Sequence, residues 1–270
     1  MEQQDILSMT LPELQAAVQE LSEPKFRAKQ IFNWLHQKRV TDFSEMTTLS
    51  LPFRERLASD FCINRLKIAK RLASSVDDTV KYLYELPDGN YVETVCMQYH
   101  HGTSLCISTQ VGCRMGCRFC ASAIAGFVRN LTPAEMLLQI YETERAQNCK
   151  ISSLVLMGIG EPLDNFDNVL RFLQLLSDPN GYGMSLRHVT ISTCGVVPKI
   201  LELAEQRLGL TLSVSLHCPN DAGRSAIMPI NRSYPIDVLL DACQTYFEKT
   251  GRRVTFEYAV MDQVNSAEQD

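Results

Sequence analysis

The stretch Leu105-Cys-Ile-Ser-Thr-Gln-Val-Gly-Cys113-Arg-Met-Gly-Cys117-Arg-Phe-Cys120 joins a strand pattern to three closely spaced cysteines. From residue 104 to residue 110, apolar and polar side chains alternate, which predicts a strand with two different faces. The cysteines follow at once as C-x₃-C-x₂-C on a loop that contains glycine. The sequence therefore predicts a strand that is followed directly by a loop whose cysteines bind a ligand.

Three thiolates within eight residues can hold one inorganic cluster. A 4Fe–4S cluster ordinarily takes four cysteines, so three would leave one iron with an open coordination site. A zinc site is the alternative, with Cys106 or His100 as the fourth ligand. No second ligand pair follows at the spacing of a zinc knuckle, and the cysteine run therefore favours the iron–sulfur cluster.

Strand and helix patterns alternate after residue 103. We predict strands at 104–110, 153–158, 188–192, 211–217 and 253–260. We predict helices between them at 132–147, 165–176, 197–206 and 236–250. This alternation is typical of a parallel sheet with right-handed crossovers, and it predicts an α/β fold.

One face of these strands repeatedly carries polar side chains. Parallel strands that are buried on both faces usually read as continuous apolar runs. We therefore predict a barrel-like sheet whose concave face holds a ligand. The side chains that share this face are Cys106, Ser108, Gln110, Thr190, Ser192, Cys194, Ser213, Ser215, His217, Thr255 and Glu257.

The N-terminal third has a different character. Helix patterns begin after Thr10, near Arg27 and near Leu51, and period-two segments at 80–86 and 91–97 flank the turn Pro87-Asp-Gly-Asn. We predict three parts: a helical accessory domain at 1–75, a β-hairpin connector at 76–102 and the partial barrel at 103–270.

Charge is unevenly distributed, although the whole chain has a formal net charge of −5. The segment 23–71 is locally basic, with Lys25, Arg27, Lys29, Lys38, Arg39, Arg54, Arg56, Arg65, Lys67, Lys70 and Arg71 against Glu23, Asp42, Glu45, Glu55 and Asp60. Such a module on an acidic body indicates a polyanionic partner, while a solvated helical surface is the alternative.

The composition, 45% hydrophobic and 21% charged, is that of a globular protein. No apolar run approaches the roughly 20 residues that span a bilayer, and the start shows no signal peptide. We expect a cytoplasmic protein without a membrane partner, and we expect most of the scattered cysteines to be small buried residues.

Six sequence words, read together, resemble the RlmN/Cfr family of radical S-adenosylmethionine (SAM) RNA methyltransferases. They are Tyr91-Val-Glu-Thr-Val, Leu105 to Ala121, Met157-Gly-Ile-Gly-Glu-Pro-Leu-Asp-Asn, Ile191-Ser-Thr-Cys-Gly-Val-Val-Pro, Ser215-Leu-His-Cys-Pro-Asn-Asp and Ala226-Ile-Met-Pro-Ile-Asn. The resemblance implies a partial (β/α)6-type barrel, a 4Fe–4S cluster and SAM as cofactors.

The resemblance also implies roles for individual residues. Cys113, Cys117 and Cys120 would bind the cluster. The SAM-contacting positions would be Gly160, Glu161, Ser192, Ser215, Leu216 and His217. Glu93 matches a proposed general base, for which an exposed hairpin carboxylate is the alternative. Cys106 matches a thiol that resolves the methylated adduct and leaves a disulfide; an inert buried cysteine is the alternative.

In the family, a C-terminal cysteine accepts the methyl group first, and none of the ten cysteines here has that context. We therefore expect a truncated chain that lacks the last barrel strand and is inactive alone. The implied substrates of the complete protein are carbon-2 of an adenosine in 23S rRNA and of the adenosine beside the tRNA anticodon. Flavodoxin or ferredoxin would donate electrons.

Two other functions stay open from the sequence. A Cfr-like enzyme would methylate carbon-8 of the same rRNA adenosine, although Gly160-Glu-Pro-Leu is more similar to RlmN. A protein that binds RNA and an iron–sulfur cluster without catalysis is the other alternative.

Overall fold

The computed structural model describes residues 3–267, and one mixed sheet of eight strands organises them. The strands in chain order are β1 (Gln4–Asp5), β2 (Phe61–Cys62), β3 (Lys67–Ala73), β4 (Val80–Glu85), β5 (Tyr91–Tyr99), β6 (Gly102–Cys106), β7 (Gln110–Gly112), β8 (Phe127–Asn130), β9 (Ile151–Leu156), β10 (Val189–Thr193), β11 (Thr211–Ser215) and β12 (Val254–Glu257).

Eight α-helices are formed by the described residues. They are α1 (Leu11–Glu20), α2 (Phe26–Asn33), α3 (Leu51–Asp60), α4 (Pro133–Gln147), α5 (Phe166–Ser177), α6 (Val197–Glu205), α7 (Asp221–Ile227) and α8 (Ile236–Thr250). Among these residues, no helix is both long and apolar enough to cross a membrane. The four helices predicted after residue 103 are confirmed as α4, α5, α6 and α8, and α7 is an additional short one.

The large sheet has the order β12-β11-β10-β9-β6-β5-β4-β3. Strands β6, β9, β10, β11 and β12 run parallel, and β3 to β6 run antiparallel. The predicted α/β fold and the parallel core are confirmed. The sheet stays open over residues 3–267, with β12 at one edge and β3 at the other.

The strand register confirms that polar side chains share one face. Cys106 is paired with Val155, Val155 with Thr190, Thr190 with Thr211, and Ser213 with Thr255. Directly paired residues point to the same side of a sheet. The opposite face is apolar and fully buried under the helices; it includes Leu105, Leu154, Ile191, Leu212 and Val214.

The hairpin of β4 and β5 is confirmed as a pair of antiparallel strands. It is continuous with the parallel strands, because β5 is also paired with β6. A third strand, β3, extends the sheet from a segment that we had placed in the helical domain. Its residues are all exposed, so it lacks the half-buried alternation by which strands are recognised in a sequence.

The N-terminal helices pack against α4. Helix α1 begins with the predicted Thr10 cap, and its Glu13 completes a capping box. Across the interface, the buried His36 Nδ1 lies 2.9 Å from the Tyr141 hydroxyl oxygen, and Arg39 forms an ion pair with Glu144. The accessory helices are therefore fixed to the helices of the α/β part by polar contacts as well as by apolar packing. The predicted domain boundaries, after residues 75 and 102, stay a prediction.

Candidate active site

The cysteine loop is held at its base by a small second sheet. Strand β7 pairs with β8, and Gly112 at the end of β7 has a φ of +71°. A Cβ atom at Gly112 would lie 1.7 Å from the carbonyl oxygen of Gly126, so only glycine fits there. The Cys113 amide donates a hydrogen bond to that same oxygen. The loop therefore leaves the sheet in one fixed direction, beside the carboxyl ends of the parallel strands.

A cavity of about 260 Å³ lies where this loop meets the strand ends. Cofactor sites in parallel α/β proteins are commonly found at this edge. The residues that line it are Cys113, Met115, Cys117, Phe119, Cys120, Leu156, Met157, Gly158, Gly160, Glu161, Ser192, Thr193, Cys194, Ser215, His217, Met228 and Glu257. The structure thus brings the three cysteines together with five of the six predicted SAM-contacting residues.

The three thiols form a donor set that favours a cationic ligand. Burial raises the pKa of Cys117 to about 12, with further increases from the neighbouring Cys120, Cys113 and Glu161. Burial also raises the pKa of Cys113. Ionised sulfur atoms in such a place need positive charge nearby, which iron supplies. Over residues 3–267, no three His, Cys, Asp or Glu side chains converge closely enough to hold a single metal ion.

Glu161 is the buried acid of the cavity, 4% exposed. One carboxylate oxygen accepts a hydrogen bond from the Leu163 amide at 3.0 Å, and the other accepts one from the Cys194 amide at 2.8 Å. Burial raises the pKa of this carboxyl above its usual value, and these two amides lower it again in part. The charge has no cationic side chain as partner among the described residues, so a cationic ligand group would be favoured beside it.

Gly160 places Glu161 by a close backbone approach. Its φ is +110°, and a Cβ atom there would lie 2.6 Å from Cβ of Gln110. The Gln110 side chain in turn accepts a hydrogen bond from the Glu161 amide at 2.9 Å. The glycine is therefore required by geometry, as the sequence word Met157-Gly-Ile-Gly-Glu suggested.

Two further predicted residues follow strand β11. His217 is buried, has a φ of +56°, and accepts a hydrogen bond at Nδ1 from the Ala259 amide at 2.9 Å. Burial lowers its pKa, which favours the neutral imidazole. The ring of Phe119 packs edge-on against it at 4.7 Å between centroids. Leu216 is half-buried beside the cavity but does not line it.

Cys106 and Glu93 lie on the polar face, outside the lining of the cavity. Cys106 is paired with Val95 of β5, and Glu93 is two residues from Val95 on the same side of that strand. Burial raises the pKa of Cys106 to about 11, so its thiol is neutral when the cavity is empty. Glu93 is half-exposed and forms an ion pair with Lys81 at 2.6 Å.

The disulfide implied for Cys106 is not formed. No disulfide bond joins any two of the ten cysteines, all of which lie within residues 3–267. The Cys106 sulfur instead lies against the Met157 backbone amide within the sheet, where a hydrogen bond to that amide lowers its pKa in part.

Two residues of the site were missed from the sequence. Glu257 lines the cavity and accepts a hydrogen bond from the Ser213 hydroxyl at 2.6 Å; its position on the polar face was the available signal. Arg224 in α7 is fully buried behind the cavity, and its guanidinium donates to the backbone oxygens of Cys194 and Ser215. A single arginine near a turn gives no sequence signal of burial.

Two family models match separate parts of the chain. Residues 4–63 match the family described as "Ribosomal RNA large subunit methyltransferase N-terminal domain". Residues 107–270 match the "Radical SAM superfamily".

Curated relatives are similar over almost all of this chain. A "Probable dual-specificity RNA methyltransferase RlmN" of Lachnoclostridium phytofermentans is 52% identical over 264 residues, which cover 97% of this chain and 73% of the relative. A protein of the same description from Clostridium novyi is 48% identical, with 98% of this chain and 78% of the relative covered.

A solved structure has the same fold. It is described as a radical SAM methyltransferase from Sphaerobacter thermophilus, with a TM-score of 0.93 and 38% sequence identity. The match covers 98% of this chain and 79% of that one.

Proposed function

Since the chain belongs to the RlmN family of radical SAM RNA methyltransferases, we propose that it methylates carbon-2 of an adenosine in 23S rRNA and of the adenosine beside the tRNA anticodon. The observation that carries the proposal is the cavity at the strand ends, where the cysteine loop faces Glu161, Ser215 and His217. The family's cofactors are a 4Fe–4S cluster and SAM, and this cavity has groups suited to both.

Cys113, Cys117 and Cys120 would hold the cluster, which with bound SAM supplies a 5′-deoxyadenosyl radical. Glu161 would attract the ammonium group of SAM, because it is an anion without a cationic side-chain partner among the described residues. Gly160 lets the backbone approach the ligand. Ser192, Ser215, Leu216 and His217 would make the remaining contacts to SAM from the ends of β10 and β11.

Cys106 and Glu93 would act on the substrate base from the polar face of the sheet. A thiol with a raised pKa holds its proton until a charged or reactive partner arrives, which suits a thiol that acts late in a reaction. Glu93 would accept a proton from the adenine adduct. Its ion-pair partner Lys81 holds the carboxylate at 2.6 Å.

RNA would bind to the accessory helices through phosphate contacts and stacking. Helix α2 and the turn after it present Phe26, 59% exposed, and Trp34 beside a surface cavity of about 450 Å³. Lys29 also lines this cavity, and the Lys38 ammonium lies 3.5 Å from the centroid of the Trp34 ring. Aromatic faces next to lysines are typical of surfaces that bind unpaired nucleotides. An electron donor such as flavodoxin or ferredoxin would reduce the cluster.

The adenosine target is tested by mass spectrometry of rRNA and tRNA from a strain that lacks its own enzyme and carries the full-length gene. Recovery of 2-methyladenosine in both RNAs supports the proposal. Recovery of 8-methyladenosine instead would identify a Cfr-like specificity. No methylated adenosine, despite a loaded cluster and bound RNA, would contradict catalysis and support a binding protein.

The RNA surface is tested separately by RNA binding. The double variant Lys29→Glu, Lys38→Glu should bind a tRNA anticodon stem-loop at least tenfold more weakly than the unmodified chain, since each reversal replaces attraction to phosphate by repulsion. Lys199→Glu, Lys249→Glu makes the same charge change on α6 and α8 and serves as the control. Equal weakening by both pairs would show that only net charge matters and would contradict a specific surface.

A further inference from the structure

Arg224 is a buried cation that the proposed reaction does not use. It is 0% exposed, in the middle of α7. The guanidinium donates to three neutral acceptors: Asn231 Oδ1 at 2.7 Å, the Cys194 carbonyl at 2.7 Å and the Ser215 carbonyl at 3.1 Å. Its Nε has no hydrogen-bond partner. Over residues 3–267, no carboxylate forms an ion pair with this side chain.

Burial of a charged group without an opposite charge is strongly unfavourable. Here burial lowers the pKa of Arg224. Asp221 is connected to Arg224 only indirectly, through Asn231. The Asn231 side-chain amide donates a hydrogen bond to Asp221 Oδ1 at 2.9 Å. The fold therefore keeps a positive charge that its own acidic groups do not neutralise by contact.

The cysteine loop lies directly beside this charge. The Arg118 amide, between Cys117 and Cys120, donates to the carbonyl of Ile227 at the end of α7. Met228, the next residue, lines the cavity together with Cys117 and Cys194.

We propose that Arg224 is the buried counter-charge of the cysteine loop, and that its guanidinium makes the thiolate-bound cluster easier to reduce. This inference rests on the cluster site proposed above. A 4Fe–4S cluster with three thiolates carries a net negative charge that increases on reduction, and nearby charge is one of the factors that set its potential. A fixed cation in a region shielded from water should stabilise the reduced form most.

A purely structural role is the competing explanation, because Arg224 also joins the ends of β10 and β11 through the two carbonyls. Two substitutions distinguish the effect of the positive charge from the effect of the hydrogen bonds. Arg224→Lys keeps the positive charge but loses the fork of donors, and Arg224→Met removes the charge with little change in length. Arg56→Met, on the surface of α3, is the control for loss of a solvent-screened charge.

The reduction potential of the cluster in anaerobically reconstituted protein is the readout, measured by redox titration followed by electron paramagnetic resonance. Arg224→Met should lower the reduced-to-oxidised ratio at a fixed potential at least tenfold, a negative shift of about 59 mV for one electron. Arg224→Lys and Arg56→Met should stay within a factor of about three of the unmodified chain. Equal potentials in all four proteins with full iron content would overturn the proposal.

If a variant does not assemble the cluster, its iron content is compared instead of its reduction potential. Loss of iron in Arg224→Met but not in Arg224→Lys is the pattern of a required charge. Equal loss in both shows that the hydrogen bonds matter instead, and it refutes a counter-charge. Asn231→Asp adds a second test, since it keeps Arg224 and places a carboxylate on it. A loaded Asn231→Asp protein should also shift to more negative potential.

These measurements need neither RNA nor methyl transfer. If the predicted potentials are found but a strain that carries the full-length gene gains no methylated adenosine, the proposed function is refuted and the role of Arg224 stands. The opposite result, methylated adenosine with unchanged potentials, would refute Arg224 alone.

Discussion

Replacing Gly160 by alanine should destabilise the protein through two separable effects. The first is backbone strain, because alanine rarely adopts a φ of +110°; such positions cost about 1–3 kcal/mol. The second is overlap, because the new Cβ would lie 2.6 Å from Cβ of Gln110 and 2.8 Å from its backbone nitrogen. Neither atom is the free end of a side chain, so relief requires movement of β7, and overpacking of this kind costs about 1–3 kcal/mol.

Together the two effects predict a loss of about 2–6 kcal/mol in the free energy of unfolding. Gly89→Ala is the matched control: its φ is +81°, but nothing lies within 4 Å of the added Cβ. It should lose only about 1–2 kcal/mol, the cost of the left-handed conformation. The difference between the two variants measures the overlap together with the extra strain of the more unusual φ at Gly160.

Urea unfolding followed by circular dichroism provides the measurement. With a slope of about 3 kcal/mol per molar urea, a loss of roughly 3 kcal/mol lowers the midpoint of Gly160→Ala by about 1 M. Gly89→Ala should lower it by only about 0.3–0.7 M. If Gly160→Ala were no less stable than Gly89→Ala, the close approach of Gly160 to Gln110 would be incorrect.

Three further predictions concern the cysteine loop, the cavity and the N-terminus. Cys117→Ala should abolish the iron content of reconstituted chain, measured by iron assay, while Cys62→Ser should retain it; iron retained in both would exclude Cys117 as a ligand. Glu161→Gln should weaken SAM binding at least tenfold in equilibrium dialysis, with the exposed Glu202→Gln as control, and unchanged affinity would contradict a role for the buried charge. Burial raises the pKa of Asp5 from 3.8 to about 6, so its folded pKa lies above the unfolded one and its charge opposes folding as pH rises through that window. Asp5→Asn should therefore raise the free energy of unfolding by about 1–3 kcal/mol at pH 8 and leave it unchanged at pH 3, and an equal change at both pH values would refute this assignment.

The parallel core and the cluster loop were predictable from the sequence because their signals are local. Period-two polarity marked the polar face before any register was known, and the pairing of Thr190 with Thr211 and of Ser213 with Thr255 confirmed it. The spacing of Cys113, Cys117 and Cys120 indicated one ligand loop, and the cavity now contains all three.

Other features depend on contacts between segments far apart in the chain. Strand β3 is stabilised by its pairing with β4 and buries no face of its own, so its sequence has no apolar period. Arg224 is buried only because α7 folds beneath β10 and β11, and its acceptors are backbone oxygens, which no pattern of side chains reveals. The role of a residue that depends on contact with a distant segment therefore cannot be predicted from its own stretch of sequence.

Cys194 has a consequence for the electrostatics of the cavity. Its amide is bound by the carboxylate of Glu161, and its carbonyl is bound by the guanidinium of Arg224. Cys194 thus lies between the buried carboxyl group of Glu161 and the buried guanidinium group of Arg224. A substitution or shift of the backbone at Cys194 would therefore disturb the carboxyl group of the cavity and the guanidinium behind it at the same time.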